Sequence, residues 1–221
     1  MLFRSALLLA VTAIIAYSFG SLSSPILSSH IYFHENILNY SRDNAGITRF
    51  LKRHGRKGVA VLCLVEIIKT VIPVLIGGLL MLIVDHAQIG FAFALFCVVL
   101  GTNFPILYNF RGEHSLLAMA VGCFFVSGEV AFAGIVVFVV VYIITRYISF
   151  SALSSTFIMF LVTMMSVDDA IVRNILLLTY LLVVIEYRKN IPRLLRKKEK
   201  KFRYKEDVTY MFDDDYGSGQ N

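Results

Sequence analysis

The chain has 221 residues, of which 57% are hydrophobic and 16% charged, and its formal net charge is +6. A soluble domain carries roughly 45–50% apolar and about 25% charged residues. That balance, with a mean hydropathy of +0.73, excludes a soluble globular enzyme, a disordered chain and a disulfide-rich secreted domain, and leaves one polytopic membrane domain.

A helix that crosses a bilayer needs about 20 mostly apolar residues. Long apolar runs without alternation read as helices, not strands. Such runs fall at about 5–25, 58–83, 89–107, 115–128, 129–146, 148–166 and 169–187. The fold class is therefore all-α, with seven transmembrane helices. The first run, with Arg4, an apolar core and then Ser18 to Ser24, has the outline of a secretory leader. It has no Ala-x-Ala-like site and is read as a helix. The fourth run is short, and its border with the fifth rests on Ser127, Gly128 and Glu129. Cys63, Cys97 and Cys123 lie inside apolar runs and read as packing residues. His30 and His34 are four apart with no third ligand nearby, so no metal site is expected.

Lys and Arg mark the cytoplasmic side of a membrane protein. Nearly all of the 21 basic residues fall in the predicted loop 28–57, at Arg111, at Arg146 and in the tail after Tyr187. The opposite face receives Arg4 and Arg173, with Asp85, Glu129, Asp168 and Asp169. This places the N-terminus outside and the C-terminus in the cytoplasm. The tail cluster 196–205 suits anionic membrane lipids. Nucleic acid fits poorly, because these cations flank membrane helices with no aromatic interleaving. Residues 1–205 read as one domain and 206–221 as a disordered tail.

Four stretches carry the polar residues of interest. Loop 28–57 contains Ser41-Arg42-Asp43-Asn44-Ala45-Gly46-Ile47-Thr48, then Lys52 and Gly55. Hydroxyls, an amide, glycine and cations together suit an oxyanion, and equally a solvated, helix-capping loop. Glu66 and Lys69 lie well inside the second run. Charges at that depth point to function, and at i, i+3 they also pair with each other as a structural couple. Gly101-Thr102-Asn103-Phe104-Pro105 closes the third run. It is followed by Phe110-Arg111-Gly112-Glu113-His114-Ser115 at the start of the next helix, where free N–H groups attract phosphate. Asn190-Ile191-Pro192-Arg193-Leu194 follows the last run.

Taken in order, these stretches resemble the cytoplasmic motifs of the bacterial acyl-phosphate:glycerol-3-phosphate acyltransferases, the PlsY type, from about residue 5 to 201. The family's Gly-Ser-Ile-Pro appears as Gly20-Ser21-Leu22-Ser23, with the proline displaced to Pro25. Its first motif, Gly-Ser-Gly-Asn-x-Gly-Ala-Thr-Asn-x-x-Arg, is matched at Asn44, Gly46 and Thr48, with Lys52 in place of Arg. Glu66-Ile67-Ile68-Lys69-Thr70 stands at the spacing of Asp-x-x-Lys-Gly. Its second motif, Gly-His-x-Phe-Pro and then Phe-Lys-Gly-Gly-Lys-Gly, is matched at Gly101, Phe104, Pro105, Phe110 and Gly112. There Arg111 and His114 replace the two lysines, and Thr102, Glu113 and Ser115 are further departures. Its third motif, Arg-His-x-x-Asn-Ile-x-Arg-Leu, is matched at Asn190, Ile191, Arg193 and Leu194, with Glu186-Tyr187 in place of Arg-His. Arg146-Tyr147-Ile148-Ser149 resembles the start of the family's sixth helix.

The resemblance implies a seven-helix enzyme of the bacterial inner membrane, with its reactive loops on the cytoplasmic face. It would make lysophosphatidic acid from acyl phosphate and glycerol 3-phosphate, with no cofactor or metal. Asn44, Lys69 and His114 take the catalytic positions on this reading. Thr48, Lys52, Glu66, Arg111, Gly112, Ser149, Asn190 and Arg193 line the substrate site. Lys52, Arg111 and His114 would hold phosphate and Glu66 with Lys69 would brace the floor. Because both family histidines and glycine-loop positions are replaced, a non-catalytic relative that binds lipid or phosphate is the alternative. A transporter is the second, although no repeated pair of broken helices is visible.

Overall fold

The computed structural model describes residues 2–32, 47–108, 112 and 114–188, with backbone only at residues 2, 31–32, 47–54 and 56. Helices α1 (Leu2–Gly20), α2 (Ser24–Tyr32), α3 (Ile47–Leu82) and α4 (Ala87–Asn103) form the first half. A 3-10 turn at Ile106–Tyr108 leads towards α5 (Leu116–Val126), α6 (Gly128–Thr145), α7 (Ile148–Ser166) and α8 (Ala170–Tyr187). The described residues are all-helical, as their unbroken apolar runs predict.

Among the described residues, six stretches are long and apolar enough to cross a membrane: Phe3–Gly20, Lys57–Leu82, Ala87–Tyr108, Gly128–Thr145, Ile148–Ser166 and Ala170–Tyr187. The predicted fourth crossing is α5, with 11 residues. At 1.5 Å per residue it extends only about 16 Å, about half a hydrocarbon core. The expected border is where the sequence suggests, since Ser127 is both C-cap of α5 and N-cap of α6.

Two expectations about the first third are corrected. The first helix stops at Gly20, not near residue 25, and the following residues form α2. The predicted loop to residue 57 also contains the start of α3, so Thr48 and Lys52 lie on helical backbone. Gly55 interrupts α3 with φ 62° and ψ −157°. Glycine accepts that left-handed φ without a Cβ clash.

The centre of the bundle is α4, which packs against α1, α3, α5 and α8. Ala92, Ala94, Leu95, Val98 and Val99 on it are fully buried. Small residues bring backbones close: a Cβ on Gly20 would strike the Val98 carbonyl, and one on Gly101 the Tyr17 carbonyl. Exposed apolar side chains cover the rim, including Phe3, Ile14, Leu79, Phe132, Ile144 and Met165. Helices α6, α7 and α8 continue the bundle in chain order, each against the next. Aspartate 169 caps α8, with its carboxylate accepting from the N–H groups of Ile171 and Val172.

Candidate active site

Contacts among the described residues draw together the C-terminal ends of α1, α4 and α8, the N-terminal end of α5, and part of α3. The Thr102 hydroxyl is shared between the Val98 carbonyl of its own helix at 3.0 Å and the Gly20 carbonyl at 3.3 Å, and Tyr17 donates from its hydroxyl to the Phe104 carbonyl at 2.7 Å. These bonds tie α1 to the end of α4. A shallow recess lies between them, lined by Gly20, Ser21, Leu22, Ser23, Thr102, Pro105 and Tyr108. On the other side of α4, Asn103 Nδ2 donates to the Leu182 carbonyl at 3.3 Å and fixes α4 to α8.

Glu66 and Lys69 meet as the i, i+3 spacing predicts, with Lys69 Nζ 3.0 Å from Glu66 Oε2. The pair is deeply buried, Glu66 being 5% and Lys69 3% exposed. Lys69 also donates to the Leu22 carbonyl at 3.0 Å, and the Ser24 hydroxyl donates to Glu66 Oε2. The ammonium is thus spent on a carboxylate of its own helix and a carbonyl of the α1–α2 junction. This geometry is that of a brace. Glu66 Oε1, Ser21 Oγ and Asn103 Oδ1 are buried side-chain oxygens left without a hydrogen-bond partner among the described residues.

The segment before α5 differs from expectation in one respect. The sequence suggested a helix N-terminus ready for phosphate. The anion that the structure places there is a side chain: Glu186 Oε2 accepts from the Ser115 N–H at 3.1 Å and from its hydroxyl at 2.6 Å. The other carboxylate oxygen lies 2.5 Å from His114 Nδ1. The His114 ring stacks on Tyr187, with centroids 5.1 Å apart and planes inclined by 11°. Tyr187 is 1% exposed, whereas the His114 side chain is 53% exposed. Gly112 stands where a Cβ would overlap the Asn103 carbonyl. So Gly112, His114 and Ser115 are held against the ends of α4 and α8. Sequence reasoning singled out His114 and Gly112 and noticed Glu186 only as a departure from a motif. Its partnership spans 72 residues and leaves no local signal.

Ser149 is buried, at 3% exposure, in the first turn of α7. Arg146, three residues before it, caps α6 in the left-handed region with φ 60°. Asn44, Arg111, Asn190 and Arg193 lie outside the described residues, as do the side chains of Thr48 and Lys52.

Comparison with known proteins identifies the family and the fold. A statistical model of the family described as glycerol-3-phosphate acyltransferase matches residues 10–197. A glycerol-3-phosphate acyltransferase of Thermoanaerobacter sp. (strain X514) is 29% identical over 200 residues, covering 90% of this chain and 98% of the relative. Glycerol-3-phosphate acyltransferase 2 of Bacillus anthracis is 27% identical over 192 residues, covering 86% and 97%. The fold matches the crystal structure of PlsY, an integral membrane glycerol 3-phosphate acyltransferase, in its glycerol 3-phosphate form. The TM-score is 0.74 at 23% identity, covering 90% of this chain and 97% of that one. Its lysophosphatidic acid form gives a TM-score of 0.74 at 22% identity. An all-helical bundle of membrane-spanning length and a family match across most of the sequence lead to one conclusion: the chain belongs to the glycerol-3-phosphate acyltransferase family.

Proposed function

We propose that this protein transfers the acyl group of an acyl phosphate to the 1-hydroxyl of glycerol 3-phosphate, releasing lysophosphatidic acid and inorganic phosphate. The observation that supports the reading is the convergence of the α1, α4, α5 and α8 ends, with Gly112 against Asn103, and His114 and Ser115 against Glu186 at the end of α8. An acyl phosphate is already activated, because phosphate is a good leaving group. The protein's work is then to hold two phosphorylated substrates together and to orient a hydroxyl, from which most of the rate follows.

On this reading Lys52 and Arg111 grip phosphate, Asn44, Thr48, Asn190 and Arg193 add hydrogen bonds and charge, and Ser149 lines the same cup. Glu66 and Lys69 hold the floor by tying α3 to the α1–α2 junction. The reading also makes α5 the seventh crossing, with the N-terminus outside and the reactive segments on the cytoplasmic side of a bacterial inner membrane. Basic residues of the tail rest on anionic lipid there.

The test uses purified protein in lipid vesicles, supplied with acyl phosphate and glycerol 3-phosphate, and lysophosphatidic acid is measured by mass spectrometry. Wild type makes product, while Lys52→Ala and Arg111→Ala each lose at least about tenfold in kcat/KM, as loss of a charge-assisted hydrogen bond predicts. Folded wild type that yields no product refutes the transferase reading in favour of a non-catalytic relative. Undiminished turnover in both variants refutes the site.

A further inference from the structure

Helix α5 is shorter than its neighbours, and its contacts place the shortfall at the end of the bundle away from the candidate site. Its first residue is tied to the end of α8 by the Ser115–Glu186 bonds. Further along, a Cβ on Gly122 would strike the Leu95 side chain of α4, and the Phe125 and Phe91 rings lie 6.0 Å apart. From that level α4 runs about 12 Å from Leu95 to its far end at Ala87, whereas α5 runs about 8 Å from Gly122 to its C-cap at Ser127. The next pair of helices gives the same result. The Ser155 hydroxyl of α7 donates to the Gly134 carbonyl of α6 at 2.7 Å. From there α6 runs about 9 Å to its start at Gly128, and α7 about 17 Å to its end at Ser166. The α5–α6 turn is therefore recessed by about 4–8 Å relative to the ends of α4 and α7 on that side, whose adjoining turns hold Asp85, Asp168 and Asp169.

The recessed turn is polar. Gly128 and Glu129 are exposed, and a Cβ on Gly128 would meet nothing within 4 Å. Apolar surface resumes one turn deeper, at the exposed rings of Phe124 and Phe132. A carboxylate left in hydrocarbon is costly, and a bilayer meets a span that is too short by thinning beside it. We infer that lipid headgroups of the leaflet opposite the candidate site sink to meet this turn, so that the bilayer is thinner beside α5 and α6 than around α3, α4 and α7. Glu129 is the group that holds the headgroups down, and it makes the protein's stability depend on the length of the surrounding acyl chains.

The sequence contains no tryptophan, so a single introduced indole reports its own depth. Gly128→Trp, Met165→Trp and Leu79→Trp are reconstituted separately in phosphatidylcholine vesicles that carry a nitroxide on the lipid headgroup. Met165 is exposed at the far end of α7, and Leu79 is exposed on α3 about 9 Å below Asp85. The headgroup nitroxide quenches Gly128→Trp about as strongly as Met165→Trp and at least about twofold more than Leu79→Trp, as a dipped headgroup layer requires. Quenching of Gly128→Trp no stronger than that of Leu79→Trp overturns the inference. Quenching by aqueous iodide with none by the headgroup nitroxide also overturns it, because the turn would then face a water-filled notch. A second measurement needs no probe: thermal unfolding of wild type and Glu129→Leu in vesicles whose lipid chains lengthen from about 14 to about 22 carbons. The wild-type Tm falls as the chains lengthen, and Glu129→Leu reduces that fall by at least about half, since an apolar side chain tolerates the thicker bilayer. An equal fall in both proteins overturns the role of Glu129 and the inference with it.

Discussion

Lys69→Met removes the ammonium that neutralises a carboxylate 5% exposed inside the bundle. What remains around Glu66 is unequal to its charge. The Ser24 hydroxyl and Lys69 both engage Oε2, and Oε1 has no hydrogen-bond partner among the described residues. Breaking a buried ion pair by removing one member costs about 3–5 kcal/mol, most of it the stranded charge. In a domain of this size each kcal/mol shifts Tm by about 2–4 °C, so Lys69→Met lowers Tm by about 6–20 °C. The double variant Glu66→Leu with Lys69→Met buries no charge and recovers most of that loss. The measurement is thermal unfolding of all four members of the cycle in the same detergent, with turnover measured on each folded variant. A Lys69→Met loss below about 1 kcal/mol refutes the brace, and so does a double variant no more stable than the single. If the double variant is as stable as wild type but inactive, the pair takes part in turnover and its role is more than structural.

Other perturbations test the rest of the frame. Gly112→Ala pushes a Cβ onto the Asn103 carbonyl and displaces the segment that carries His114. Turnover falls at least about tenfold with a Tm loss of only a few degrees, since a misplacement near 1 Å already costs about 100-fold in well-oriented reactions; an unchanged kcat/KM contradicts that placement. Asp85 holds φ 60° in the turn between α3 and α4. Asp85→Gly relieves the left-handed strain, raising stability by about 0.5–1 kcal/mol with turnover unchanged, as read from thermal unfolding.

The helices were legible because lipid-facing elements carry long apolar runs, and all seven expected runs correspond to helices, although α5 is much shorter than a free-standing crossing. What escaped was α2. Its sequence, Ser24-Pro25-Ile26-Leu27-Ser28-Ser29-His30-Ile31-Tyr32, is too short and hydroxyl-rich to announce a helix. Two of its hydroxyls are satisfied within it, Ser28 Oγ donating to the Ser24 carbonyl at 2.6 Å and Ser29 Oγ to the Ile26 carbonyl at 3.0 Å. The Glu66–Lys69 pair could be read from spacing alone. The Ser24 and Leu22 contacts that anchor it could not, because they come from 42 and 47 residues away. Gly101 and Gly112 were legible only as matches to a motif, and the close backbone approach that each permits is a property of the fold.

The departures from the family's motifs gain meaning from the same kind of distance. Glu186 for Arg, Tyr187 for His and His114 for Lys read along the chain as separate losses of catalytic-type residues. In space they form one cluster, a carboxylate on an imidazole that stacks on a phenol. A carboxylate alone at the start of α5 would repel phosphate. Bonded to His114 and to the N–H and hydroxyl of Ser115, it has three partners. Exchanges that meet in this way are coupled, so restoring the family's residues one at a time must fail where restoring them together succeeds. Glu186→Arg alone sets a guanidinium beside the Ser115 N–H and a ring that needs an acceptor. Combined with His114→Lys and Tyr187→His, it rebuilds a cationic pocket of the family's kind. The triple variant then shows kcat/KM at least tenfold above the product of the single-variant effects, a coupling of about 1.4 kcal/mol or more, well beyond the few tenths expected of independent sites. Strict additivity in that series would mean that the cluster is an accident of packing and that the three positions act independently.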